Sequence, residues 1–319
     1  MLAHRSTTPT APKNLSVRHL LGIAELTRDD IVAVFESALT FRENYLRSGQ
    51  QSTQLAGKTV VNFFAESSTR TRSSFQLAER RMGAEVLNFQ SESSSFGKGE
   101  TLLDTVRNIE AMRVDAIVIR HSVAGVPWFL ADRCNVVFIN AGDGRHEHPT
   151  QALLDCLTLH ERWNGTFAGR RVAIVGDILH GRVALSNILA LQKLGAEVAV
   201  CGPPTLIPRG IESLGVRVLK SLDEAIEFAD ALNMLRIQRE RQDRALFPSV
   251  GEYARYFGLN RRRLATIKKQ LLILHPGPIN RGIELDAETA DGERSVILEQ
   301  VENGVAVRMA VLAMLLGAS

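Results

Sequence analysis

TVVNFFAESSTRTRSSFQLAERRMG, residues 59–83, is the stretch on which the fold turns. Thr59 to Phe64 is a short apolar run of β-branched and aromatic residues, the signature of a buried strand. From about Thr71 to Met82 the pattern is helical, and Gly83 stops it. A second strand follows at Glu85 to Phe89. A strand running through a short junction into a helix and on to another strand is the unit from which parallel sheets are built.

The same alternation extends in both directions. Upstream, Thr27 with Asp30 three residues later predicts a capped helix start, and Ile31 to Tyr45 carries the helix. Downstream come a Ser/Gly-rich loop (Ser91 to Glu100), a helix (Thr101 to Met112) and strands at Ala116 to Ile119 and Val136 to Ile139. The pattern then restarts. Gln151 to Glu161 is helical, Arg171 to Gly176 a strand, Arg182 to Leu194 a helix and Ala196 to Cys201 a strand. Asp230 to Leu235 and Leu271 to Leu274 are further strands, and Glu302 to Leu316 is an apolar closing helix. The expected class is α/β: two doubly wound parallel-sheet domains. The boundary falls near His148 to Gln151, giving residues 1–149 and 150–301, with helix 302–319 packing back onto the first domain.

Bulk properties narrow the function. A chain of 319 residues exceeds what one core usually serves. With 45% hydrophobic and 23% charged residues it is globular rather than disordered. A net charge of +3 is too small to imply a nucleic-acid partner, but it suits local cationic sites for a small anion. Cys134, Cys156 and Cys201 are odd in number and far apart, which fits a reducing, cytoplasmic setting. No apolar run reaches bilayer length, so no membrane partner is expected, and Met1 to Asn14 reads as a loose polar tail.

Ser68-Thr69-Arg70-Thr71-Arg72 stands at the strand-to-helix junction. Hydroxyls, backbone N–H groups at a helix start and two guanidiniums suit an anion such as phosphate. The same letters suit Ser/Thr capping with solvated arginines, and alone they leave both readings open. Neither G-x-x-x-x-G-K-[ST] nor G-x-G-x-x-G after a strand occurs, so a nucleoside triphosphate or dinucleotide is not suggested. Arg120-His121, Arg182, Arg236-Ile237-Gln238 and His275-Pro276-Gly277-Pro278 follow later strands. Ligands of open α/β sheets bind off the carboxyl ends of strands. Each group singly suits a surface as well, but Arg or His at five strand ends is poorly explained by scatter. His146-Glu147-His148 has no Cys or carboxylate at ligand spacing, so no metal is expected. His148 and Gln151 read better as neutral hydrogen-bonding groups at a helix start. Lys98, between Gly97 and Gly99, is either a solvated loop lysine or a cation carried by a closing loop. The basic stretch Asn260 to Lys269 lacks interleaved aromatic residues and reads as a solvated helix, not a nucleic-acid surface.

These residues in this order resemble the transcarbamoylase family, and within it the catalytic chains of the aspartate carbamoyltransferases. The resemblance runs from about Asn14 to Leu316 and is carried by Ser68-Thr69-Arg70-Thr71-Arg72-Ser73-Ser74-Phe75, His148-Pro149-Thr150-Gln151-Ala152-Leu153-Leu154-Asp155 and His275-Pro276-Gly277-Pro278. The last segment, with Arg236-Ile237-Gln238, is similar to the aspartate rather than the ornithine branch, in which a cysteine follows the histidine. It implies transfer of a carbamoyl group from carbamoyl phosphate to L-aspartate, an early step of pyrimidine biosynthesis, in a cleft between a carbamoyl-phosphate-binding and an aspartate-binding domain, without a cofactor. The alternatives are another amine acceptor, as in the ornithine enzymes, or an inactive assembly subunit.

By the same resemblance, Ser68, Thr69, Arg70 and Thr71 hold the phosphate. Thr71, Arg120 and His148 polarise the carbonyl, and Gln151, with the Pro276-Gly277-Pro278 turn, meets the carbamoyl nitrogen. Arg182, Arg236 and Gln238 bind the aspartate carboxylates. Ser95 and Lys98 come from the neighbouring subunit of a homotrimer, with Lys98 also reaching aspartate. Glu66 ties the domains together through Arg182 and Arg241. A higher assembly with a regulatory or dihydroorotase-like chain stays open.

Overall fold

The computed structural model describes residues 14–90, 100–238, 247 and 249–317 of the chain. Its first helix, α1 (Arg28–Phe41), starts at the expected cap. Thr27 Oγ1 accepts from the Asp30 N–H at 3.1 Å, and Asp30 Oδ2 accepts from the Thr27 N–H at 2.9 Å. The pair is worth about 1 kcal/mol. The α-helix does not reach Tyr45, because a π-helical turn, Arg42–Arg47, takes over, and from it the buried Arg42 reaches Glu161 and Asn303.

The first sheet is laid down by β1 (Thr59–Phe64), α2 (Thr69–Arg81), β2 (Glu85–Gln90), α3 (Leu102–Ala111), β3 (Ala116–His121), α4 (Val126–Ala131) and β4 (Val137–Asp143). Helix α5 (Pro149–Arg162) leads to the second sheet, made by β5 (Arg171–Val175), α6 (Arg182–Leu194), β6 (Glu197–Cys201), β7 (Arg217–Leu219), α7 (Leu222–Phe228) and β8 (Ala231–Met234). It is completed after α8 (Val250–Phe257) and α9 (Arg261–Leu264) by β9 (Leu272–Leu274), before α10 (Ala287–Ala290) and α11 (Ile297–Leu316). Among the described residues the two sheets have the orders β2-β1-β3-β4 and β7-β6-β5-β8-β9, and every pairing is parallel. The protein is an α/β fold of two parallel sheets with helices on their faces.

Helix α11 begins five residues before the expected Glu302. Its N-cap, Val296, makes no side-chain cap bond, so no capping letter marked the true start. The helix packs against α1, α2 and α5 and is buried on most of its circumference, as a helix apolar all round must be. Through it one continuous core joins α1, α2, α5, α6 and the inner faces of both sheets. Truncating one of its fully buried leucines, such as Leu312, would cost about 2–5 kcal/mol.

Strand order places the two sites of interest. In the first sheet, the chain goes from β1 to its neighbour β2 on one side and then to β3 on the other. In the second, it goes from β5 to β6 and returns to β8 beyond β5. Each reversal opens a crevice at the carboxyl ends of the central strands. Glu66 to Thr71 follow β1, Arg120 is the last residue but one of β3, Asp177 to Arg182 follow β5, and Leu235 to Gln238 follow β8.

Candidate active site

The crevices line one cleft of about 1020 Å³. Ser68, Thr69, Arg70, Thr71, Arg120, His148, Gln151, Arg182, Arg236, Gln238, Pro276, Gly277 and Pro278 all line it. Ser95, Lys98 and Arg241 lie outside the described residues. Arg72 is not among the lining residues.

Three helices present their N-termini to the cleft: α2 from Ser68, α5 from His148 and α6 from Gly181. None has a side-chain cap bond. The Ser68 hydroxyl is therefore not spent on capping, and the positive ends of three helix dipoles face one volume. Six arginines join them in the lining, Arg70, Arg120, Arg182, Arg236, Arg281 and Arg308, against one described carboxylate, Glu66. Burial, reinforced by Arg236, pulls Arg70 below the usual guanidinium range. Such a site favours an anionic ligand, most of all one with several negative groups.

Glu66 stands between the halves. Its Oε1 accepts from Arg120 Nη2 at 3.2 Å and from Arg182 Nη2. Arg120 also donates to the Ala141 carbonyl at 3.1 Å. Gly142, at φ +114°, lies under both guanidiniums. A Cβ there would stand 3.0 Å from Arg182 Nη1 and 3.2 Å from Arg120 Nη1. Behind Arg182, His180 Nδ1 meets Asp177 Oδ1 at 2.8 Å, and Asp177 Oδ2 accepts from the Gln238 N–H at 3.3 Å. These bonds fix the segments that carry Arg182 and Arg236.

The turn after β9 is held from within. His275 is 2% exposed, and its Nδ1 accepts from the Gly277 N–H at 2.8 Å. Burial, with Arg70 and Arg236 nearby, pushes its pKa down to about 3, so the ring stays neutral and Nδ1 keeps its lone pair. His146 and His148 part company. His146 Nδ1 lies 3.3 Å from Asp143 Oδ2 and its ring meets Trp128 edge-on, whereas His148 is buried in the cleft wall and donates its N–H to Ser186 Oγ. The basic stretch is engaged on the surface, with Arg261 paired to Glu288 and Arg263 to Asp223.

Sequence reading missed Arg308, a 3%-exposed cation on α11 that lines the cleft and donates to Ser74 Oγ and the Gly304 carbonyl. A lone charge inside Val-Ala-Val-Arg-Met-Ala-Val was the available signal. It also missed the acid behind the cleft. Asp155, fully buried on α5, accepts from Gln151, a cleft-lining residue, at 2.8 Å.

Comparison with known proteins gives the family. Residues 18–161 match the family model described as aspartate/ornithine carbamoyltransferase, carbamoyl-P binding domain, and residues 168–315 match its Asp/Orn binding domain. The chain is similar to the aspartate carbamoyltransferase catalytic subunit of Cytophaga hutchinsonii, at 55% identity over 95% of this chain and 98% of the relative. Among solved structures it resembles Trypanosoma cruzi aspartate transcarbamoylase in complex with carbamoyl phosphate and aspartate (TM-score 0.84, 30% identity, 97% of this chain and 98% of that one). It also resembles the catalytic subunit of M. jannaschii aspartate transcarbamoylase (TM-score 0.80, 33% identity, 94% and 98%).

Proposed function

The chain belongs to the aspartate/ornithine carbamoyltransferase family, and from that premise we infer how its cleft works. The reaction is transfer of the carbamoyl group from carbamoyl phosphate to the α-amino group of L-aspartate, giving N-carbamoyl-L-aspartate and phosphate. The observation that carries the site reading is the convergence of three uncapped helix N-termini and six arginines on a cleft with one described carboxylate. Two anionic substrates repel each other in water, and fixed cations offset that repulsion while holding them in line.

In this reading Ser68, Thr69, Arg70 and Thr71 bind the phosphate at the α2 N-terminus. Thr71, Arg120 and His148 donate to the carbonyl oxygen, where negative charge develops. Gln151 and the carbonyls of the Pro276-Gly277-Pro278 turn accept from the carbamoyl amine. Arg182, Arg236 and Gln238 take the carboxylates of aspartate. The aspartate amine attacks the carbonyl carbon, a tetrahedral intermediate forms, and the C–O bond to phosphate breaks as phosphate takes the amine proton. The acceptor follows from charge. Arg182 and Arg236 suit a dicarboxylate, and Glu66, already bound by Arg120 and Arg182, is poorly placed to receive the ammonium tail of ornithine.

Residues 1–149 with helix α11 (Ile297–Leu316) belong to the carbamoyl-phosphate domain and residues 150–296 to the aspartate domain, in the cytoplasm, in service of pyrimidine synthesis. The site is completed in a homotrimer by Ser95 and Lys98 of a neighbour. Incubation with carbamoyl phosphate and either L-aspartate or ornithine tests the acceptor: carbamoylaspartate is expected, and product from ornithine alone refutes it. Mixing inactive Lys98→Ala and Arg70→Ala proteins tests the shared site. Partial recovery of activity is expected, and none would argue for self-contained subunits.

A further inference from the structure

Asp155 lies behind the cleft with no exposure to solvent. Four side-chain amides surround its carboxylate. Gln151 Nε2 and Gln300 Nε2 donate to Oδ1 at 2.8 and 2.7 Å, and Asn187 Nδ2 and Asn233 Nδ2 donate to Oδ2 at 2.9 and 3.2 Å. The donors come from α5, α11, α6 and β8, so one acid ties together three helices and a strand of the second sheet. An ionised carboxylate only accepts, and two lone-pair sites on each oxygen match two donors on each.

That arithmetic has a directional result. A primary amide has an NH2 side and a C=O side, and an anion binds only the first. Asp155 therefore turns the C=O of each amide away from itself. For Gln300, the outward oxygen accepts from the His275 N–H at 2.9 Å, at the first residue of the turn that His275 and Gly277 close. For Gln151, which lines the cleft, the amide is left with its oxygen to offer.

We propose that Asp155 is a positioning residue for substrate selection: by orienting the Gln151 amide directly and the 275–278 turn through Gln300, it builds an array of acceptors that selects an NH2 group on the acyl donor. This inference rests on the reading of Gln151 and the turn as partners of the carbamoyl nitrogen. Asp155 touches no substrate and acts on both flanks of that nitrogen at once. A neutral side chain in its place can hold either amide by its oxygen, and the array loses its fixed polarity.

The test compares carbamoyl phosphate with acetyl phosphate, which keeps the phosphate and carbonyl but has CH3 in place of NH2. KM for carbamoyl phosphate and the inhibition constant of acetyl phosphate are measured for the wild type and for Asp155→Asn, Gln300→Met and Gln151→Leu. Asp155→Asn should raise KM about tenfold or more, the loss of at least one hydrogen bond, while the acetyl phosphate constant moves less than about threefold. Gln300→Met should shift the ratio in the same direction by less, and it carries the test if Asp155→Asn does not fold. A general loosening of the protein would move both constants together. Parallel shifts, or no shift in either variant, overturn the proposal. If Gln151→Leu also leaves the ratio unchanged, it is the assignment of Gln151 to the carbamoyl nitrogen that fails.

Discussion

The guanidinium of Arg70 occupies the space that a side chain on Gly277 would fill. The contact joins the segment after β1 to the turn after β9. Gly277→Ala brings two effects, since its φ of +64° also disfavours any residue with a Cβ, at about 1–2 kcal/mol. Gly282 separates them. Its φ is +85°, and nothing lies within 4 Å of its would-be Cβ. Both alanine variants should melt a few degrees early, but only Gly277→Ala should raise KM for carbamoyl phosphate, by about tenfold or more if Arg70 loses one charge-assisted bond. Equal KM values in the two variants would detach Arg70 from phosphate binding.

Glu66 holds one cation of each half, Arg120 and Arg182, on a single oxygen. Glu66→Gln keeps the shape and removes the charge. The buried Arg182 and the partly buried Arg120 then lose their shared anionic acceptor, and bonds of this charged type are worth about 1.5–3 kcal/mol each. Steady-state kinetics should show kcat/KM for aspartate down by about ten- to a hundredfold. An unchanged value would mean that the bridge does not prepare Arg182 for its ligand.

The alternation of strands and helices was legible from residue 59 onward because most strands are continuous apolar runs. Strand β7 was not, since three residues, Arg217–Leu219, carry no period. The letters of Ser68 to Arg72 could not separate a cap from an anion site. That distinction lies in whether the Ser68 hydroxyl reaches back to its own helix, and it does not. Gly142 and Arg308 escaped because each gains meaning only from elements far away in sequence: Gly142 from Arg120 and Arg182, Arg308 from α2 and the cleft wall. Asp155 was in view as part of a motif, but its four amides are spread from residue 151 to residue 300 and look like ordinary polar residues.

Glu79 should set part of the fall in stability between pH 4.5 and about 8. It is fully buried on α2, where Asn62 Nδ2 donates to its Oε2 at 2.7 Å, and burial pushes its pKa up to about 8 against the opposing pull of Asn62 and Arg80. In the unfolded chain it ionises near 4.5. The folded state therefore holds a proton that the unfolded state has lost, and stability from this group, complete below 4.5, drains away as pH rises to about 8. Glu79→Gln keeps an acceptor for Asn62 and removes the titration. Denaturant melts should show the variant gaining on the wild type by about 1.4 kcal/mol per pH unit inside that window and running parallel above it. A constant offset from pH 5 to 9 would contradict the buried neutral acid.

Carbamoyl phosphate binding should weaken in mild acid through Asp155. Burial raises its pKa to about 6, although four amides favour the ionised form. Three neighbours hold their protonation state over the same range. Arg308 is lowered only to about 10 and stays cationic, Cys156 is pushed well above its usual range and stays neutral, and His275, at about 3, stays neutral. Below pH 6 one Asp155 oxygen becomes a donor, and an amide it held must turn. The ratio of KM for carbamoyl phosphate to the inhibition constant of acetyl phosphate should therefore rise as pH falls from 7 to 5. Both ligands carry the same kind of phosphate ionisation, so the ratio removes it. Stability moves the other way. Because the folded pKa is raised from 3.8, the contribution of Asp155 is complete below 3.8 and lost as pH rises through 6, so acid that loosens the acceptor array tightens the fold. Asp155→Asn should abolish the slope of the ratio, and persistence of the slope in that variant would assign it to another group.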